Sequence, residues 1–75
     1  MEHDQEVDAS GLACPMPIVK AKKAMAALRS GQVLRVISTD SGSVADMPAF
    51  AESLGHALLA ATTEGERYVF WLRKG

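Results

Sequence analysis

Hydrophobic and polar positions alternate in different ways along the chain, and the changes of period mark its elements. Residues 5–9 alternate with a period of two, which is typical of a short, half-buried strand. Residues 17–29 repeat apolar positions at helical spacing instead, and the Ser-Gly pair at 30–31 ends that helix. The apolar stripe of this helix consists of Ile18, Ala21, Met25 and Leu28.

A second strand and a second helix follow in the same order. Residues 33–39 are rich in β-branched side chains and predict a central strand. After the turn residues 40–43, the second helix is expected to begin at Asp46-Met47-Pro48, because proline is accepted in a first helical turn but not later. Its apolar stripe is Met47, Phe50, Ala51 and Leu54, and Gly55 ends it.

Two extended runs complete the chain, at residues 57–63 and 67–73, with a hairpin turn predicted at Glu64-Gly65. The order β-α-β-α-β-β predicts one domain over residues 1–75, of the α/β (α+β) class. Right-handed crossovers place both helices on one face of a four-stranded mixed sheet, so the fold is a two-layer sandwich.

The last strand separates its side chains into two sets. Tyr68, Phe70 and Leu72 are predicted to face the helices, whereas Trp71 shares the other face with arginines. With Ile37 and Val69 from the same face, this open side is apolar enough to allow two interpretations. Either Trp71 is partly covered by arginine stems, or the face is a contact surface.

Composition and charge exclude several classes of protein. The chain has one cysteine and two well-separated histidines, so neither an internal disulfide nor a metal site is expected, and no cofactor is predicted. An acidic, polar N-terminus and the lack of a long apolar run argue against a signal peptide and a direct membrane association. A cytoplasmic, reducing location is therefore expected.

The cysteine loop, Gly11-Leu12-Ala13-Cys14-Pro15-Met16-Pro17, carries the candidate chemistry. Since both Cys14 and Met16 precede a proline, both are expected to be extended, with the helix beginning at Pro17. The sulfur is then predicted to face the free N–H groups at the helix N-terminus, which lowers the thiol pKa and makes Cys14 reactive. The alternative is a buried, inert cysteine.

A cluster of basic residues lies directly downstream of Cys14, in a stretch without any acid. Its members are Lys20, Lys22, Lys23 and Arg29. Such a cluster is either a solvated helix face or a surface that docks an acidic partner or a phosphate backbone.

Nearly the whole chain resembles the TusA (SirA-like) family of small sulfur-carrier proteins. The resemblance rests on the Cys-Pro-x-Pro motif at residues 14–17, embedded in a pattern that includes Gly31, Asp46-Met47-Pro48 and Gly55-His56. It implies a sulfurtransferase in which Cys14 accepts sulfane sulfur as a persulfide and passes it to a partner. Typical settings are tRNA thiolation, molybdenum-cofactor supply and sulfur oxidation.

The resemblance also implies roles for the remaining residues and for partner proteins. Gly11, Pro15 and Pro17 support the motif, and Asp40 joins Lys20, Lys22 and Lys23 as a partner-binding residue. The expected partners are a sulfur donor, such as a cysteine desulfurase or rhodanese, and a sulfur-acceptor protein, with nucleic acid involved only indirectly.

Two other functions stay open at this point. One is a thiol-switch regulatory protein in which Cys14 is oxidised or glutathionylated. The other is a small nucleic-acid-binding module that uses the basic cluster, although only 5% of the residues are aromatic, too few for stacking platforms.

Overall fold

A computed structural model describes residues 2–75 as four strands and two helices. None of the helices in these residues is long and apolar enough to cross a membrane. The elements are β1 (Gln5–Ala9), α1 (Met16–Ala26), β2 (Val33–Ser38), α2 (Ser43–Ser53), β3 (Ala57–Glu64) and β4 (Arg67–Arg73).

The strands form one mixed sheet in the order β1-β2-β4-β3. β1 and β2 run parallel, as two strands joined by a helix must when the connection is a crossover, and the two pairs that involve β4 are antiparallel. Both helices contribute to a single core on one side of this sheet. The two-layer fold predicted from the sequence is therefore confirmed.

The core lies between the helices and the inner face of β2 and β4. Leu34 opposite Leu72 and Val36 opposite Phe70 present their side chains to the helical layer, as the period of two in β4 predicts. The helices contribute Ala21, Met25, Leu28, Met47, Phe50 and Ala51. Each large apolar side chain buried in this way contributes about 1.5–3 kcal/mol, which a domain of this size needs.

The start and end of α1 differ from the prediction. Met16 is helical, so the expectation that it is extended is wrong. Its N–H donates to the Ala13 carbonyl over 2.9 Å, and this turn carries the chain into the helix one residue before Pro17. At the other end α1 stops at Ala26, yet Leu28 is still only 6% exposed and completes the apolar stripe.

The start of α2 was also predicted wrongly. The helix begins at Ser43, and Pro48 lies in its interior. The preceding turn nucleates it, because the Ser43 N–H donates to the Asp40 carbonyl over 3.1 Å and the Asp46 N–H to the Gly42 carbonyl over 3.0 Å. These bonds fix helical geometry upstream of the proline, which then removes only one donor from an established helix.

The sheet face opposite the helices exposes less apolar surface than its sequence suggests. Ile37 is 4% and Val69 0% exposed. The guanidinium of Arg35 lies 5.5 Å from the centroid of the Trp71 ring and forms an ion pair with Glu6. This arrangement favours a tryptophan covered by an arginine over an open contact surface.

Candidate functional site

The cysteine loop connects the end of β1 to the start of α1. Gly11 has a φ of +80°, a conformation that glycine adopts without the steric cost of a side chain. Its N–H donates to Thr39 Oγ1 over 2.8 Å, which ties the loop to the residue following β2. Gly11 therefore allows the turn that brings the loop to Thr39.

The prolines of the motif hold the first turn of α1. Pro15 is the N-cap residue, and its carbonyl accepts a hydrogen bond from the Val19 N–H over 3.0 Å. Pro17 stands at the second helical position, where the helix requires no donor, and its ring is buried. The Cys14–Pro15 peptide bond is cis.

Cys14 is exposed, which rules out the buried, inert alternative for this residue. Its Sγ donates a hydrogen bond over 2.9 Å to Oδ2 of Asp46, in the first turn of α2. The sulfur is thus held between the two helices. Among the N–H groups at the start of α1 that were expected to face the sulfur, those of Met16 and Val19 are bonded to the backbone carbonyls of Ala13 and Pro15.

The electrostatic surroundings of Cys14 act against ionisation. The hydrogen bond to Asp46 raises the pKa of the Cys14 thiol, because losing the proton would place two negative charges side by side. Desolvation of the sulfur by neighbouring atoms and the charges of Asp46 and Asp40 raise the pKa further. The prediction of a lowered pKa is therefore wrong, since it considered only the α1 N-terminus and the lysines that follow.

Cys14 and Asp46 meet because of the sheet topology. β1 and β2 are parallel neighbours, so the segments that follow them leave the same edge of the sheet. One segment carries Cys14 and the other carries Asp46. Asp46 was missed as a site residue, although the predicted crossover already contained the signal that these two segments are adjacent.

The turn between β2 and α2 is fixed by a buried pair of hydroxyl groups. Ser38 Oγ and Ser43 Oγ are 2.7 Å apart, and Ser38 Oγ also accepts a hydrogen bond from the Asp40 N–H over 3.1 Å. Asp40 Oδ2 is buried without a hydrogen-bond partner within residues 2–75. Because this oxygen is buried, only part of the Asp40 side chain is available to a partner. The effect of Asp40 on Cys14 is that of its negative charge.

A groove between α1 and α2 runs away from the sulfur. Cys14, Lys22 and Asp46 line it with polar groups, and Ile18, Phe50 and Leu54 with apolar ones. Leu54 was expected to continue the apolar stripe of α2. It lies just after the last helical residue, Ser53, and its side chain is 47% exposed at this groove. Within residues 2–75, no cluster of three or more histidine, cysteine or acidic side chains is suited to hold a metal ion.

The basic residues do not form a single surface. Lys22 lines the groove that contains Cys14. Lys20 and Lys23 line a second groove, beside Glu6 and Asp8 of β1. Of the three lysines predicted to bind partners, the fold therefore brings only Lys22 to the thiol.

Comparisons with known proteins agree on one family. The family model described as "Sulfurtransferase TusA" matches residues 5–74. The putative sulfur carrier protein YrkI of Bacillus subtilis is 53% identical over 75 residues, which cover all of both chains. The sulfur carrier protein TusA of Allochromatium vinosum is 52% identical over 73 residues, which cover 97% of this chain and 96% of the relative.

A solved structure gives the same result for the fold. The SirA-like protein from Desulfitobacterium hafniense superposes with a TM-score of 0.84 at 27% identity, over 96% of this chain and 99% of that protein. The family match thus extends over both helices and all four strands, including the cysteine loop and Asp46. The resemblance first suggested by the Cys-Pro-x-Pro motif is confirmed, and the chain belongs to the TusA family of sulfurtransferases.

Proposed function

We propose that this chain carries sulfane sulfur as a persulfide on Cys14 and relays it from a donor protein to an acceptor protein. The observation that supports this most directly is the exposure of the only cysteine at the end of a groove. A carrier thiol has to be reached twice, first by a donor and then by an acceptor. Since no second cysteine is available to form a disulfide with it, the sulfur leaves only to another molecule.

The loading step is a displacement at sulfur. The Cys14 thiol loses its proton to water, and the thiolate attacks the terminal sulfur of the donor's persulfide. A sulfur–sulfur bond forms on Cys14 while the donor's sulfur–sulfur bond breaks, and the donor leaves as a thiolate that takes a proton from water. Unloading repeats the exchange with the acceptor thiolate as the nucleophile, and neither step needs an external oxidant.

The groove beside Cys14 is the proposed docking surface for both partners. It combines apolar area from Ile18, Phe50 and Leu54 with the cation of Lys22, which suits the acidic rim of a partner. A cysteine desulfurase or a rhodanese remains the expected class of donor. A cytoplasmic location, where such a thiol stays reduced, also remains a prediction.

Intact-mass measurement tests the function directly. After incubation with glutathione persulfide, we expect the wild type to gain the mass of one sulfur atom and Cys14→Ser to gain none. The serine variant should keep its melting temperature, because Cys14 is exposed and a serine hydroxyl can still donate to Asp46. Sulfur on the serine variant, or none on the wild type, would contradict the proposal.

The same measurement separates the carrier from a thiol switch. Both products start from the Cys14 thiolate and differ in which sulfur of glutathione persulfide it attacks. Attack on the outer sulfur adds one sulfur atom and releases glutathione, whereas attack on the inner sulfur gives a glutathione adduct and releases hydrosulfide. A carrier is expected to give the first product. A glutathione adduct as the only product would instead favour the regulatory function.

A further inference from the structure

The hydrogen bond between Cys14 and Asp46 exists only while the carrier is empty. The donor is the proton on Cys14 Sγ, and Oδ2 of Asp46 accepts it over 2.9 Å. In a persulfide, Sγ is bonded to the transferred sulfur and has no proton to donate. Loading must therefore break this contact and leave the carboxylate beside a sulfur chain that readily becomes an anion.

We propose that Asp46 is a positioning residue that binds the empty form of Cys14 in preference to the loaded form, and so biases the carrier towards giving its sulfur away. This inference rests on the proposed function of Cys14 as a persulfide carrier. A group that interacts more favourably with one of two interconverting forms shifts the equilibrium towards that form. The size of the shift is set by the difference between the two interaction free energies. Asp46 has such a difference, because it gains a hydrogen bond in one form and meets a repelling charge in the other.

The other charged groups around the sulfur do not duplicate this role. Asp40, from the turn before α2, adds negative charge but makes no hydrogen bond to Cys14, and Lys22, from α1, lines the groove with a positive charge. β1, β2, β3 and β4 contribute no charged side chain to the groove lining described for residues 2–75. Only Asp46 therefore distinguishes the two forms of Cys14 by a direct bond.

The exchange that tests the bias is the equilibrium between Cys14 and glutathione. The persulfide of Cys14 and glutathione thiol convert to the Cys14 thiol and glutathione persulfide, with one sulfur–sulfur bond broken and one formed. A hydrogen bond in an exposed position contributes modestly, so replacing its charged acceptor should shift this equilibrium about three- to tenfold towards the loaded carrier. Asp46→Asn is the test variant, because its amide has the same shape, accepts more weakly from the thiol and no longer repels the persulfide anion.

The control variant is Glu52→Gln, which removes the same charge from an exposed position near the other end of α2. Asp46→Ser provides a second uncharged side chain, in case the asparagine variant does not fold. We expect both Asp46 variants to accumulate more persulfide than the wild type at equal ratios of glutathione persulfide to glutathione. Glu52→Gln should match the wild type.

Alkylation by iodoacetamide against pH provides a readout that does not depend on sulfur transfer. Without the carboxylate, more of the thiol is ionised near neutral pH, but each thiolate is a weaker nucleophile. For every tenfold gain in thiolate fraction the net rate rises only about three- to fourfold, because intrinsic nucleophilicity falls as the pKa falls. Asp46→Asn should thus react faster than the wild type near neutral pH and more slowly at a pH where both are fully ionised.

The outcomes separate the two proposals. Failure of both the wild type and the Asp46 variants to load sulfur would overturn the carrier function, and the bias with it. Loading of all variants to the same ratio, or alkylation profiles that do not cross, would overturn the role of Asp46 and leave the carrier function intact. A shift towards the loaded form in both Asp46 variants, with crossing profiles, would support both.

Discussion

Ser38 and Ser43 form a buried pair of hydroxyl groups. Removing the Ser38 oxygen should destabilise the protein more than removing the Ser43 oxygen. Ser38 Oγ takes part in two hydrogen bonds, one with Ser43 Oγ and one donated by the Asp40 N–H, whereas Ser43 Oγ takes part in the one with Ser38. Ser38→Ala therefore leaves two polar groups without a partner, and Ser43→Ala leaves Ser38 still bonded to the Asp40 N–H. Both serines are almost inaccessible, at 0% and 2%, so water cannot replace the lost oxygen.

These contacts set the expected magnitudes. An unsatisfied buried group costs about 1–3 kcal/mol, so Ser38→Ala, which leaves two groups without a partner, should lower the free energy of unfolding by about 2–6 kcal/mol. Ser43→Ala removes one hydrogen bond and should cost about 0.5–1.5 kcal/mol. In the double variant, Ser43→Ala removes a hydroxyl that Ser38→Ala has already left unpaired, so the double variant should be no less stable than Ser38→Ala alone.

Urea unfolding at 25 °C, followed by circular dichroism, measures all four proteins of this cycle. Thermal melts offer a check, since about 1 kcal/mol corresponds to roughly 4–8 °C in a domain of this size. Equal losses in the two single variants would contradict the reasoning. So would a double variant that loses the sum of the two, because additivity means that the hydroxyls do not depend on each other.

Three further perturbations address docking, core and the open sheet face. Lys22→Glu should slow sulfur transfer from a protein donor at low salt, with Lys23→Glu on the other groove as the matched control. If both variants slow the transfer equally, the groove beside Cys14 is not the docking surface. Met25→Ala should lower the free energy of unfolding in urea by about 2–5 kcal/mol, because Met25 is 2% exposed at the centre of the core, and a loss below about 1 kcal/mol would contradict this packing. Arg35→Ala should lower the free energy of unfolding by about 0.5–1 kcal/mol and shift Trp71 fluorescence to longer wavelength, because the indole ring becomes exposed to water. An unchanged spectrum would mean that Arg35 does not cover the ring.

Features that depend on local repetition were predictable from the sequence. The alternation in β4 assigned Phe70 and Leu72 to the helical layer, and helical spacing assigned Met25 and Met47 to the core. The Cys-Pro-x-Pro motif indicated the family because it consists of consecutive residues and does not depend on contacts between distant segments. In each case the information lies within a few turns or residues of the chain.

The parts that were predicted wrongly depend on contacts between distant segments. The state of the Cys14 thiol is set by Asp46, which lies 32 positions further along the chain and reaches it only through the crossover between β1 and β2. The start of α2 is set by the turn at Asp40, whose hydrogen bonds overrule the positional preference of Pro48. The division of the lysines likewise follows from which neighbour each side of α1 meets, β1 for Lys20 and α2 for Lys22.

The position of β4 in the sheet has a consequence for how the protein is made. β4 is last in the sequence but lies between β2 and β3, and β3 pairs with no other strand in residues 2–75. As the chain leaves the ribosome, β1, β2 and both helices emerge before the strand that joins the two halves of the sheet. Until Arg67–Arg73 is available, the inner edge of β2 has no partner and the core lacks Phe70 and Leu72. The domain therefore completes its fold only after β4 has been synthesised, in a step that closes the sheet from its centre.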